Sequence, residues 1–511
     1  MIARLKTTIA VILATVMLLF PAYNCYAAVN SGFAPYCISM AFNGDVQSCR
    51  GFTWYTDKNC ASHLLLAEAG RNNNDFKTAR LYSGTSFPMK RYAGSQASKK
   101  TVTVHRLNLT DLKADTTYVY KVGDAARGIW SQTGSFHTNG REDQLQCIIV
   151  ADGQVAEDQD YLRNARGLQK AFETMPEADF LIHMGDFVES YSSGVDSFEN
   201  FAQWQGFFTA TQEQIMHTTI LPVAGNHDMT SHVFASQFAL DQMVPADADR
   251  ETGVYYSVNY ANACFIVLNT NEGYQHGNGR ISGKQIEWLK NTAVQADKQG
   301  MKWKILLMHR AIYSFGRHMD SEDITALRAQ LAPLISDLGI DLVLQGHDHV
   351  YMRSKVLAGL PSGEIVPQEG GQVIREDFLG EALDFAVDPS GTTYIIPNLI
   401  GSQFGFRKTS TAAEVYPAAV YEPDDNHEPV FAGISIEGDR LVYRAYAYDR
   451  EGSGKVKEID RYGILKTFKE AAYEEMSVSQ TGKFMDRLKK TVGWKFMSFF
   501  WPLPRLYYFN W

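Results

Sequence analysis

The segment Leu342-Val343-Leu344-Gln345-Gly346-His347-Asp348-His349 joins an apolar run, a glycine and two imidazoles one residue apart. An apolar run that stops at glycine reads as a buried strand ending at a sheet edge. Alternating residues of an extended chain share a side, so His347 and His349 are expected to face one point. Two imidazoles converging beside a strand terminus suit metal binding. A His-x-His pair also occurs on ordinary surfaces, so the signal needs company.

Four further segments supply it. Asp152-Gly153-Gln154, Gly185-Asp186, Gly225-Asn226-His227-Asp228 and His309 each follow an apolar run. Read singly, a Gly-Asp or Gly-Asn dipeptide is a turn. Five polar endings in a row, each after a strand-like run, are not five coincidental turns. Carboxylate, amide oxygen and imidazole make a mixed oxygen and nitrogen donor set. Such a set suits Mn, Fe or Zn rather than copper or an iron–sulfur cluster. Two metal ions can share one carboxylate, activate a water and clamp a phosphoryl group.

The elements that must position these residues are legible. Apolar strands are expected over 145–151, 180–184, 219–224, 264–269, 304–308 and 341–345. Helical patterns cover 158–174, 282–298 and 323–338. Their alternation predicts a layered α/β domain, whose ligands gather at the carboxyl ends of strands. A strand returns at 391–397, and a closing hairpin spans 432–447 with its turn at Glu437-Gly438-Asp439. The segment 355–391 is rich in glycine and acids; it either shapes substrate choice over the site or forms a mobile flap.

Ahead of this domain, residues 33–139 show short strands with regular turns, a β-sandwich of about 100 residues. The stretch 109–120 resembles the corner of a fibronectin type III-like module. There a tyrosine, here Tyr118, packs its ring and bonds back to upstream backbone. A packing role for this domain is favoured over a ligand-binding one.

Arg4 and Lys6, an apolar run near 9–20, Pro21 and the small residues Ala27 and Ala28 follow the plan of a secretory signal peptide. The run is short for a bilayer span. The protein is therefore expected to be secreted or extracytoplasmic, in the periplasm, cell envelope or medium. Disulfides are permitted there. Cys37, Cys49 and Cys60 cluster, and one pair among them is expected to bridge, with the pairing open. Cys147 and Cys264 sit in strand-like runs as plain buried residues. The formal charge of −9 and pI near 5.8 give no reason to expect nucleic-acid binding. The C-terminal tail carries Lys483, Arg487, Lys489, Lys490 and Lys495 beside dense aromatics. It reads either as a peripheral membrane contact or as a tail packed on its own domain. Oligomeric state is open.

The ordered series of endings resembles the calcineurin-like metallophosphoesterase superfamily. Its motifs run Asp-x-His or Asp-x-Gly, Gly-Asp, Gly-Asn-His-Asp/Glu, a lone His, and Gly-His-x-His. The preceding sandwich and the run from Asp341 to Ser354 make the chain most similar to the purple acid phosphatases, over roughly residues 39–449. The resemblance implies a multi-domain α+β chain. Its parts are a signal peptide (1–27), a purple acid phosphatase-like N-terminal sandwich (28–142), a four-layer α/β/β/α metallophosphoesterase domain (143–450) and a basic, aromatic tail (451–511).

The implied function is a secreted dinuclear-metal phosphoesterase. It would hydrolyse small-molecule phosphomonoesters by metal-hydroxide attack on phosphorus. A phosphodiesterase acting on cyclic nucleotides or lipid head groups is the alternative. A binding or adhesion protein with an inactive site is the alternative of another class. By the resemblance, Asp152 and His349 join Asp186 on one of two divalent or trivalent ions (Fe, Mn or Zn). Asn226, His309 and His347 join Asp186 on the other. His227 would face substrate, stabilise transition-state charge and protonate the leaving group. Asp228 would orient a neighbouring imidazole. His318, nine residues after His309, matches a second substrate-facing histidine. Arg310 and Arg317 are weaker phosphate contacts.

Two departures matter. Glu189 stands where the purple enzymes carry the iron-binding tyrosine, so a colourless protein with a different first metal is expected. Gln154 stands where relatives have His or Gly, and its amide would ligate weakly or hold a water.

Overall fold

The computed structural model describes residues 32–70, 76–91, 100–190, 201–228, 233–248, 250, 252–275, 277–359, 365–367, 371–401, 418–422, 428–450 and 453–467. The signal-peptide segment and the basic, aromatic stretch after residue 467 lie outside these. No helix among the described residues is long and apolar enough to cross a membrane.

The N-terminal strands are β1 (Tyr36–Ala41), β2 (Arg50–Thr56), β3 (His63–Glu68), β4 (Arg80–Ser83) and β5 (Thr85–Arg91). β6 (Lys100–Leu109), β7 (Thr117–Asp124), β8 (Ile129–Trp130) and β9 (Gly134–His137) follow. β5-β6-β2-β1 form one sheet face; β4-β3-β7 form the other, with β8 and β9 paired to β7. Ile38, Met40, Phe52, Trp54, Leu64, Val122 and Phe136 fill the space between them. The tyrosine corner is present: the Lys113 N–H donates to Tyr118 Oη at 2.9 Å, and the ring stacks on Phe136 at 5.3 Å.

The C-terminal half alternates β10 (Gln144–Val150), α1 (Asp158–Thr174), β11 (Phe180–His183), α2 (Phe201–Ile215), β12 (Thr219–Pro222) and α3 (Val233–Gln237). Next come β13 (Tyr256–Tyr260), β14 (Ala263–Leu268), α4 (Asn271–Gln275), α5 (Gly283–Lys298), β15 (Trp303–Met308), α6 (Glu322–Asp337) and β16 (Leu342–Leu344). β17 (Tyr351–Ser354), β18 (Leu357–Gly359), β19 (Ile365–Pro367), β20 (Val373–Phe378) and β21 (Glu381–Val387) lead to β22 (Thr393–Pro397) and β23 (Ala418–Glu422). β24 (Val430–Glu437), β25 (Arg440–Tyr448) and β26 (Val456–Leu465) close the fold.

Two sheets result: β20-β21-β26-β25-β24-β10-β11-β12-β1-β2-β6-β5, and β13-β14-β15-β16-β22-β17-β23. Their inner faces share one core, with Phe180 of β11 edge-on to Phe265 of β14 at 5.4 Å. A second core, from Ile266, Leu306 and Val343 to Leu289 and Leu331, lies between the smaller sheet and α5 and α6. α1 and α2 pack together over the outer side of the large sheet. The order is α/β/β/α, as the sequence implied.

Four findings go beyond or against the sequence reading. First, the sandwich, present ahead of the α/β domain as expected, shares a sheet with it. β1 pairs in parallel with β12 (Ala41 with Ile220), so one sandwich sheet continues the large sheet of the α/β domain. β2 is buried along its whole length. Phe52 and Trp54 face the sandwich core, while Tyr55 meets Phe201 of α2 at 5.0 Å. Second, Cys37, Cys49 and Cys60 form no disulfide, nor do Cys147 and Cys264. The β1–β2 register explains the missing bridge for Cys49. It lies beyond the Ala41–Gly51 end of the hairpin, whereas Cys37 and Cys60 lie near the Tyr36–Tyr55 end. Third, 373–387 is neither cover nor flap: β21 joins β26 at the far edge of the large sheet, four strands and roughly 19 Å from β10. Fourth, the sheet runs past residue 450, because β26 pairs along β25 from Arg440–Leu465 to Tyr448–Val456. Helix α2, not among the helices expected from the sequence, buries one face: Phe201, Trp204, Phe208, Thr211 and Ile215 recur at three- and four-residue spacing.

Candidate metal centre

Strands β10, β11, β12, β15 and β16 end side by side and deliver Asp152, Asp186, Asn226, His309 and His347 to one pocket. The chain bends sharply where it does so. Asp152 (φ 52°), Gln154 (φ 41°), Asp186 (φ 53°) and His347 (φ 70°) all adopt left-handed backbone. Each such non-glycine residue costs about 1–3 kcal/mol and persists only where its surroundings over-determine it. The two imidazoles of Gly346-His347-Asp348-His349 do not converge along an extended chain, as their spacing suggested. β16 stops at Leu344, and Asp348 N–H bonds Gly346 O while Val350 N–H bonds Asp348 O, both at 2.8 Å. Two successive tight turns carry the chain from His347 to His349.

The donor atoms of Asp186, His309 and His347 lie within 4.8 Å of one another, and all three residues are buried. His309 Nε2 sits 3.2 Å from Asp186 Oδ2 and 3.0 Å from Asn226 Oδ1. Its Nδ1 is held 2.8 Å from the Met184 carbonyl, which points Nε2 at the cluster. Asp152 Oδ1 accepts from His347 N–H at 2.9 Å and lies 3.7 Å from His349 Nε2. Asp152 Oδ2 and His347 Nε2 are buried without a hydrogen-bond partner. Gln154 Nε2 donates to Asp186 Oδ2 at 3.3 Å, so its amide belongs to the same cluster.

Electrostatics follow from this crowding. Burial alone would raise Asp186, but His309, His227 and His347 outweigh it and keep the carboxylate ionised. Burial would lower His309; the Asp186 charge and hydrogen bond outweigh it and lift the imidazole to about 9. Burial pushes Asp152 well above the ordinary carboxylate range, and the Asp186 charge adds to that. Burial holds His347 far below the ordinary imidazole value, with Arg310 next in effect. Two buried carboxyl groups, an amide oxygen and the buried imidazoles of His309 and His347 fit one or more hard-to-borderline cations.

His227 lies at the rim. Its N–H bonds Asp186 Oδ1 at 2.9 Å, and its Nδ1 donates to the Glu189 carbonyl at 2.6 Å. That leaves Nε2 facing the cluster, 3.9 Å from Asp186 Oδ2. Glu189 Oε1 is 3.8 Å from His227 Nδ1, beside the ring. His318 does reach the pocket: its ring centroid is 4.3 Å from that of His347, and Arg317 Nε donates to its Nε2 at 3.0 Å. Burial, then Arg317 and Arg310, push His318 down to about 4. Arg310 is turned toward Asp323, at 2.9 Å.

Asp228 does not orient an imidazole. Its carboxylate accepts the backbone N–H groups of Asp186 (2.8 Å), Phe187 (3.0 Å) and Gly225 (2.9 Å). It clamps two ligand loops together, because both strand ends expose N–H groups in the same direction. Burial, then the Asp186 charge, raise it to about 7. Gly225 is required at this junction: a Cβ there would lie 2.1 Å from Asp186 Oδ1.

Two positioning residues escaped the sequence. Asn271 Nδ2 donates to the carbonyls of Ala224, Gly225 and Thr252 at 3.0–3.3 Å and so fixes the Asn226 loop. Gln345 Oε1 accepts from Ile312 N–H at 2.8 Å while its Nε2 donates to Tyr313 O at 3.0 Å, fixing the loop after His309. Neither carries a spacing signal; Gln345 could be singled out only as a polar residue ending an apolar strand.

Residues 147–351 match the family model of the calcineurin-like phosphoesterase, and residues 35–138 match that of the purple acid phosphatase N-terminal domain. Purple acid phosphatase 15 of Arabidopsis thaliana is 21% identical over 352 residues, covering 65% of this chain and 59% of that protein. Phosphoenolpyruvate phosphatase of Allium cepa is 22% identical over 376 residues, covering 70% of this chain and 68% of that protein. Purple acid phosphatase 1 of Ipomoea batatas is 25% identical over 343 residues, covering 64% and 66%. The chain thus spans about three fifths to two thirds of these relatives' length. Among solved structures, a purple acid phosphatase from yellow lupin (Lupinus luteus) seeds shares the fold with a TM-score of 0.63 at 16% identity, covering 86% of this chain and 75% of that one. The chain therefore carries a calcineurin-like phosphoesterase domain behind a purple acid phosphatase N-terminal domain.

Proposed function

We propose that this protein is a metal-dependent phosphoric ester hydrolase acting on phosphomonoesters at a dinuclear centre. The observation that carries the proposal is the buried convergence of Asp186, His309 and His347 donor atoms within 4.8 Å, with Asp152 Oδ2 and His347 Nε2 unpartnered beside it. Asp186 is the shared ligand. Asp152 and His349 would complete one site; Asn226, His309 and His347 the other; Gln154 lies close enough to join through its amide. Metal ions held there would supply Lewis-acid activation of water and of phosphoryl oxygens.

The chain's own groups do the rest. The Glu189 carbonyl holds the His227 Nδ1–H, so Nε2 faces the cluster. A proton on Nε2 is then placed to stabilise charge on the phosphoryl group and pass to the leaving oxygen. His318, with Arg317 on its Nε2, offers its Nδ1–H as a second donor. Asp228 keeps the Asp186 and Gly225 loops in register.

Substrate meets the protein outside the cytoplasm on this reading, which rests on the N-terminal basic–apolar–small pattern. Glu189 in place of tyrosine supports a colourless protein; a visible tyrosinate charge-transfer band would contradict that. The test of the substrate class is hydrolysis of an aryl phosphomonoester against the matching diester. Faster turnover of the monoester is expected, and a preference for the diester would reassign the site to phosphodiester chemistry.

A further inference from the structure

We propose that the N-terminal sandwich is part of the positioning apparatus of the candidate active site, and that Arg106 is its principal positioning residue. The inference rests on the hydrolase reading above for its kinetic consequence and on packing alone for its structural one.

The residues after the Asn226–His227 loop form α3 and the segment that follows it. On one side this stretch is held by hydrogen bonds from the sandwich. Arg106 of β6 sends Nη2 to the carbonyls of Ala235 and Phe238, and Nη1 to Asp241 Oδ2 at 2.9 Å. The Gln237 amide donates to the Cys37 carbonyl (3.2 Å) and to Ser39 Oγ (3.0 Å) of β1; Ser39 Oγ donates back to Gln237 O at 2.9 Å. Asn43 Oδ1 accepts the Gln242 N–H at 2.8 Å. The approach is so close that a Cβ on Gly51 of β2 would lie 2.5 Å from the Ala239 carbonyl.

On its other side the same stretch touches the metal loops. Phe238 and Phe234 pack on Phe187 at 5.4 and 6.2 Å. Phe187 directly follows Asp186, and the Phe187 N–H is one of the three held by Asp228. A continuous path therefore runs from β6, through α3, to the backbone that carries Asp186, Asn226 and His227. A sandwich kept only for packing would need apolar contact with α3. A forked guanidinium on two carbonyls and a carboxylate fixes position as well. Displacements near 1 Å at a reacting centre are enough to change rates about a hundredfold.

The test is Arg106→Ala, with Arg106→Lys and Ser39→Ala as milder variants in the full chain. Turnover is measured per metal-loaded protein on aryl phosphates of increasing leaving-group basicity, beside hydrogen exchange of the segment 225–228. Arg106→Ala is expected to lower kcat about tenfold with KM nearly unchanged. The loss should grow with leaving-group basicity, as is expected when His227 is replaced. Adding Arg106→Ala to His227→Ala should cost little more, and exchange at 225–228 should quicken. Wild-type kcat in Arg106→Ala, full additivity with His227→Ala, or exchange changes confined to 235–243 would overturn the proposal. If the wild-type protein hydrolyses no ester with any metal, the hydrolase reading falls. Unchanged exchange at 225–228 would still refute the bracing, and quickened exchange would still support it.

Discussion

Two buried imidazoles meet burial in opposite ways. His105, in the sandwich, has both ring nitrogens within hydrogen-bond reach of hydroxyls: Thr56 Oγ1 at 2.7 Å and Ser62 Oγ at 2.8 Å. It stacks on Trp54 at 5.2 Å, nearly coplanar. His347, in the C-terminal half, is held at φ 70° with Nε2 buried and unpartnered, facing Asp186 and His309. Burial pushes both toward the neutral form. Only one is satisfied. A buried polar atom without a partner costs about 1–3 kcal/mol, and a left-handed residue adds a similar amount. A cation bound where the donors of His347, Asp186 and His309 converge would offset both costs. Burial alone marks no site; unsatisfied, convergent donors on strained backbone do.

The contrast can be broken at its strongest point first. Asp186→Ala removes the shared carboxylate and should cut turnover by roughly a thousandfold or more, since several kcal/mol of charge stabilisation go with it. Turnover and bound-metal content, measured together, check this. His227→Ala should lose about a hundredfold, and more on esters with basic leaving groups. Equal losses across a leaving-group series would contradict its role as proton donor. Asp228→Asn should weaken metal affinity about 10- to 100-fold, because the clamp on three N–H groups loosens. A metal titration of the variant reads this directly.

The last two effects are on stability. Metal at 100 times its Kd should stabilise the fold by about 2.7 kcal/mol, seen as a raised unfolding midpoint. His105→Gln in the sandwich should leave that increment unchanged. His105 itself sets an acid limit. Its folded-state value, lowered to about 4 chiefly by burial, lies below the unfolded value near 6.5. The unfolded chain therefore binds more protons between these values. Stability is fully present above pH 6.5 and is lost as pH falls toward 4, by roughly 3 kcal/mol in all. Denaturant unfolding at pH 7 and pH 4 should show a shallower pH dependence in His105→Gln; an unchanged slope would place the acid sensitivity elsewhere.

The comparison also shows what a sequence discloses. Ends of apolar strands are local patterns, so Asp152, Asp186, Asn226, His309 and His347 could be singled out by spacing. Ser282 before α5 was legible for the same reason, and its Oγ accepts the Gln285 N–H at 3.3 Å. Non-local pairings were not legible. The β1–β12 junction joins residues far apart in the chain at a single registered pair. The edge hairpin β20–β21 looked like a loop over the site because three consecutive charges, Arg375-Glu376-Asp377, interrupt its apolar residues and one side of β20 is exposed. The three-way grip of Asp228 on backbone depends on how two turns meet, which no spacing encodes.

The most direct test of the central claim is turnover of an aryl phosphomonoester by metal-stripped protein, with Mn, Zn, Fe and Mg restored one at a time. Asp186→Ala serves as the control. The account predicts activity that returns with at least one of these metals and is absent from the variant under the same loading. Turnover that is indifferent to metal, or that survives in Asp186→Ala, would contradict it.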